Sequence, residues 1–135
     1  MRRTIVLGTS TLFIILSLTT GCKDDVGDGD PNDIVFPATN VSYGKHVEPL
    51  FFRTCVYSGC HNAETHAGDV SLETYQDALT GRVGIIIPRD TANSTLLWTL
   101  EGKFGKALMP MDRPPWNANQ IQGMKQWVFE GAQNN

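Results

Sequence analysis

Cys55-Val56-Tyr57-Ser58-Gly59-Cys60-His61 is the stretch on which the reading of this chain turns. Two thiols followed at once by an imidazole is the residue order through which c-type haem is attached. Each cysteine adds to one vinyl group of the porphyrin, and the histidine beside the second is brought under the iron as its proximal ligand. The usual motif leaves two residues between the cysteines; here four intervene, Val56 to Gly59. The extra pair must bulge, which Ser58 and Gly59 permit through turn conformations. Wider-spaced variants of this kind occur among c-type cytochromes.

The same residues admit other chemistry. Cys55 and Cys60 could form a structural disulfide in an exported protein, since only one other cysteine, Cys22, exists in the chain. Under that reading the protein is a haem-free binding or interaction lipoprotein, and His61 and Met109 are unrelated surface residues. Cys55, Cys60, His61 and His66 could hold zinc, although adjacent Cys60 and His61 strain to meet one tetrahedral ion. A catalytic haem needs an open sixth position and a nearby acid/base pair. No such pair is evident, so an electron carrier is expected rather than an enzyme.

Upstream, Arg2 and Arg3, the apolar stretch from Ile5 to Leu18, and small residues before Cys22 have the layout of a bacterial export signal. The apolar core is too short for a permanent transmembrane helix. Leu18-Thr19-Thr20-Gly21-Cys22 resembles a lipobox, which implies cleavage before Cys22 and acylation of its sulfur; several acyl chains hold a protein firmly to a bilayer. The expected organisation is a signal peptide at 1–21, an acidic flexible tether at 22–40 and one domain at 41–135. Lys23 to Asp33 is nearly free of apolar residues and reads as a solvated spacer, or as an acidic export tag directing the protein to the outer cell surface. The formal charge is −3, and loss of Arg2 and Arg3 makes it −5, which argues against a nucleic-acid partner. A redox partner protein is expected instead, with the bacterial cell envelope as location, periplasmic or outer-surface facing.

Beyond the tether the pattern is mainly α: about four short helices around one haem. Ser42 caps a helix bearing Val47, Leu50, Phe51 and Cys55, with Pro49 tolerable only in its first turn. Ser71 caps a second, Leu72 to Thr80, stopped by Gly81 in a left-handed conformation. Val83 to Ile87 reads as an extended, buried connector. Asn93 or Ser94 opens a third helix with Leu96, Leu97 and Leu100 inward, and a long loop follows from Gly102 to Pro115. Asn117, with Gln120 as capping-box partner, begins the last helix, which carries Ile121, Met124 and Val128 on one stripe beside Trp127 and ends at Gly131.

Over nearly all of Val41 to Ala132 the sequence resembles the cytochrome c-like domain of the planctomycete type. Val41-Ser42-Tyr43 and Val47-Glu48-Pro49-Leu50-Phe51 are similar to that family's opening helix. Gly68, Leu72 and Tyr75 are similar to its next segment, and Pro88, Asn93-Ser94, Leu96 and Leu97 to its "proline, then Asn-Ser-x-Leu" stretch. Leu108-Met109-Pro110-Met111, Arg113-Pro114-Pro115, Gln120-Ile121, Gln126-Trp127 and Glu130-Gly131-Ala132 resemble its methionine loop and closing helix. The resemblance implies one covalent haem c, electron transfer, and Met109 as distal iron ligand. Met111 stands where the family often has proline, so Met111, His66 and His46 remain alternatives for the sixth position. A thioether opposite histidine favours reduced haem and suits an electron carrier. Met124 reads as core packing, and Trp98, Trp116 and Trp127 as core and pocket wall.

Overall fold

The computed structural model describes residues 29–135. The expected signal peptide, Cys22 and the start of the tether lie outside the described residues. Among the described residues the elements are helical, with no strand.

Ser42 opens the first segment as expected, its hydroxyl accepting the amide of Lys45. A π-helical turn, Tyr43–Val47, runs directly into helix α1, Glu48–Thr54. Pro49 falls in the first turn of α1, directly after the π-helical irregularity, where the widened turn accommodates its missing N–H. Val47, Leu50 and Phe51 are fully buried beneath it.

The second segment starts later than the sequence pattern suggests. Thr74, not Ser71, caps it: its Oγ1 accepts the Asp77 amide at 3.1 Å and donates to Asp77 Oδ2 at 2.7 Å. Ser71 accepts the amide of Glu73, and the Leu72 N–H donates to the carbonyl of His61, which ties this stretch to the cysteine motif ahead of the helical turn. The segment closes as a wide turn, Asp77–Gly81, with Gly81 inside it rather than left-handed beyond it.

Val83 to Ile87 is likewise not an extended buried strand-like run. Gly84 takes φ 84°, the chain turns, and Val83 is 97 % exposed while Ile86 is buried. Its carbonyls explain the turn, for those of Gly84 and Ile85 accept the amides of Thr95 and Leu96 and so satisfy the first turn of helix α2, Thr95–Glu101. Ser94 precedes α2 without capping it; its hydroxyl bonds the carbonyl of Asp90 instead. Leu96, Leu97 and Leu100 point inward, and Gly102 at φ 63° ends the helix. Helix α3, Ala118–Phe129, has the complete Asn117/Gln120 capping box, and Met124, Trp127 and Val128 are fully buried in the core.

The boundary at 40 needs correction, because residues 30–36 pack on the domain. Asp30 caps a 3-10 turn at Pro31–Asp33, Gln120 Nε2 donates to the Pro31 carbonyl, and Ile34 and Phe36 are buried. Asn119 grips both polar groups of the Phe36 backbone, at 2.8 and 3.0 Å. The polar composition of Asp24 to Asp33 hid this, since two apolar side chains with a backbone clamp are enough to dock a short segment. No described helix is long and apolar enough to cross a membrane.

Candidate functional site

Cys55 sits at the C-terminal end of α1, where its amide closes on Phe51 and its side chain is buried. The four-residue gap to Cys60 is taken up by a turn. The Cys60 amide donates to the Tyr57 carbonyl at 2.9 Å, with Gly59 in third position at φ 83°, a conformation that favours glycine. The chain then returns: the His61 amide donates to the carbonyl of Cys55 at 3.2 Å. The wide spacing therefore closes into one loop, braced by the Gly59 amide on Thr65 Oγ1 and the Ala67 amide on the Cys60 carbonyl.

His61 is oriented by a partner the sequence could not reveal. Its Nδ1 lies 3.3 Å from the carbonyl oxygen of Val70. A carbonyl only accepts, so Nδ1 is the donor in this contact and Nε2 is left facing away from it. Ligating histidines are held in this way by their second-shell partner.

The two thiols differ sharply, and neither is joined to the other. Cys60 is exposed, whereas Cys55 lies 3.3 Å from Thr54 Oγ1. Burial pushes the Cys55 thiol up to about 11, only partly opposed by Thr54, so it stays protonated at neutral pH. Thr54 Oγ1 also donates to the Leu50 carbonyl and accepts Trp116 Nε1–H at 3.1 Å. The end of the 102–115 loop is thereby fastened beside the first cysteine.

That loop begins on α2, where the Met109 amide donates to the Thr99 carbonyl at 2.9 Å. Met109 is half-buried, while Met111 is 69 % exposed. Further along, the Arg113 guanidinium lies over the Tyr57 ring, 3.6 Å from its centre, so the loop touches the cysteine motif itself. His66 is an exposed residue at a left-handed turn, φ 47°. His46 belongs to another part of the fold: its Nδ1 meets the backbone of Ser42 and its ring packs on Phe36, centroids 5.6 Å apart. Trp127 and Trp116 are buried as expected, and Trp98 is half-buried against Phe104.

Among the described residues no three His, Cys, Asp or Glu side chains gather where they could hold a metal ion, so the four-residue zinc set is not assembled. Two surface concavities lie elsewhere, one lined by Val41, Trp127 and Glu130, the other between Phe36 to Ala38 and α3. Neither includes the cysteine motif, where Cys60 is exposed; Leu108 and Met111 of the 102–115 loop are exposed as well.

Residues 58–112 match the family model described as Planctomycete cytochrome C. Over that stretch the chain is similar to a planctomycete-type cytochrome c domain. The match spans Cys60, His61, Met109 and Met111 and begins three residues after Cys55. No curated protein and no solved structure matches the chain. That family implies haem binding, and the residues present here fit the group chemically. It offers two free thiols in one closed loop, an imidazole whose Nδ1 is already engaged, and a loop carrying two thioethers that is pinned to the motif at Arg113 and Trp116. Sequence reasoning did not find Val70, Thr54 or the Tyr57–Arg113 contact, because a backbone carbonyl and long-range pairings have no local signature.

Proposed function

We propose that the protein is a membrane-anchored cytochrome with one covalently attached haem c, acting in electron transfer in the bacterial cell envelope. The observation that carries this reading is the His61 Nδ1 contact with the Val70 carbonyl, which orients a free Nε2 beside two unpaired cysteines. Cys55 and Cys60 take the two thioether bonds, each thiol adding across a vinyl double bond so that sulfur joins one carbon and the hydrogen the other. His61 would hold the iron on one side and Met109 on the other, Met109 being favoured over exposed Met111 and His66 by its partial burial and its backbone anchor on Thr99. When bound, haem supplies a one-electron iron couple. The protein residues hold the group, orient its axial imidazole and set its potential through ligand type and surroundings.

Cys22 is the lipidated residue, the segment before it the export signal, and a redox protein of the envelope the partner. The chain, acidic overall, does not suit nucleic acid. The test is production in a host able to mature c-type cytochromes, followed by denaturing electrophoresis and haem staining. A stained band is expected, with a reduced pyridine spectrum of thioether-linked haem. A colourless product with Cys55 and Cys60 joined as a disulfide would instead make this a haem-free binding lipoprotein.

A further inference from the structure

The extra residues between the two cysteines do more than widen the motif. Tyr57, the second of the four, presents its ring to Arg113, which lies 3.6 Å from the ring centre. The ring is fixed from behind by its own hydroxyl, which donates to the Arg53 carbonyl at 2.7 Å. Arg113 stands four residues after Met109 and three before Trp116, whose indole is bonded to Thr54. The segment from Met109 to Trp116 thus crosses from α2 to the end of α1, fixed at one end by Thr99 and at the other by Thr54, and Arg113 supplies the fixed point between them. Apart from this contact, the stretch Pro110 to Pro115 is exposed or half-exposed and its backbone makes no hydrogen bond to the motif.

We infer that Tyr57 and Arg113 are positioning residues that latch the methionine loop onto the proximal motif, so that the widened gap between Cys55 and Cys60 serves to hold the distal ligand in place. The inference rests on the haem reading of the motif. A guanidinium over an aromatic face is held electrostatically and by stacking, and lysine, a point charge without a planar face, replaces it poorly. Arg113 therefore acts through the position of Met109, not by touching the iron.

The experiment is titration of the holoprotein with imidazole, which competes for the sixth iron position, monitored by loss of the methionine–iron charge-transfer absorption. Tyr57→Ala and Arg113→Ala should each bind imidazole about two- to five-fold more tightly than the wild type, the factor expected when a partly exposed cation–π contact is lost. The double variant should be no tighter than either single one, because both remove the same contact. Tyr57→Phe, which keeps the ring, should stay close to wild type, and Arg113→Lys should resemble Arg113→Ala despite keeping its charge. Variants that keep covalent haem and the methionine band but show wild-type imidazole affinity overturn the latch and leave the haem reading intact. A wild-type protein that carries no covalent haem overturns both.

Discussion

Replacing Gly123 by alanine should destabilise the protein, although the same change in the middle of an ordinary helix stabilises it. Gly123 is buried in α3, and a methyl group there would overlap Cβ and Cγ of Phe36. Those atoms sit next to the backbone and cannot swing away as a flexible side-chain tip could, and that backbone is clamped twice by Asn119. The helical gain from glycine to alanine is about 1 kcal/mol. Displacing a phenylalanine ring that is only 4 % exposed costs about 2–3 kcal/mol of apolar burial. Loosening the Asn119 clamp costs about 1 kcal/mol more. The net loss is about 2–3 kcal/mol, readable as a lower urea midpoint with an unchanged slope. The decisive assay places Gly123→Ala in a Phe36→Gly background, where Cβ and the ring are both gone and the substitution should now stabilise by about 1 kcal/mol. Stabilisation by Gly123→Ala in the wild-type background, or the same sign in both backgrounds, would refute the docking of residues 30–36.

Met109→Ala should abolish the charge-transfer absorption of ligated methionine and lower the reduction potential, while Met111→Ala leaves both unchanged; the reverse pattern moves the distal ligand to Met111. Burial works against ionisation of Glu130, but hydrogen bonds from Gln126 and the amides of Val41 and Asn40 outweigh it and hold its carboxyl below the usual range. Because the folded value is the lower one, this stabilisation is complete above the ordinary carboxylate pKa of about 4.3 and is lost as pH falls through the folded value. Glu130→Gln should lower the urea midpoint at neutral pH by about 1 kcal/mol of stability and flatten its acid dependence, and a wild-type pH profile in the variant contradicts the assignment. Cys22→Ala should leave the protein in the soluble fraction after cell disruption, and continued tight membrane association contradicts lipidation there.

Local features were legible wherever the signal lies within four residues. Ser42, Pro49 in the first turn, the Asn117/Gln120 box and the buried Met124–Trp127–Val128 stripe all stand where the pattern places them. The Ser58–Gly59 turn was legible for the same reason, since glycine is the residue that accepts φ 83° at that position. The errors arise where distant groups compete for local ones. Ser71 and Leu72 look like a helix start until the Leu72 amide is claimed by His61. Val83 to Ile87 looks like an extended, buried connector until its carbonyls are needed by α2. Asp30 to Phe36 looks like a spacer until α3 supplies Gln120 and Asn119. In the candidate site the cysteines and histidine declare themselves by order, whereas the carbonyl that orients His61 is backbone and could belong to any residue.

The docking of residues 30–36 on α3 joins the two extremes of the described chain, across 83 residues between Phe36 and Asn119 and 90 between Asn40 and Glu130. Such contacts form only after a long loop has closed, so their ordering entropy is met late. A ribosome or an export channel delivering this chain from its amino end thus holds an unfinished domain until nearly the whole length has emerged. During that interval Phe36 and Ile34 have no surface to cover them, and the Cys55 thiol, later enclosed by Trp116 and Thr54, is still open to whatever enzymes meet the emerging polypeptide.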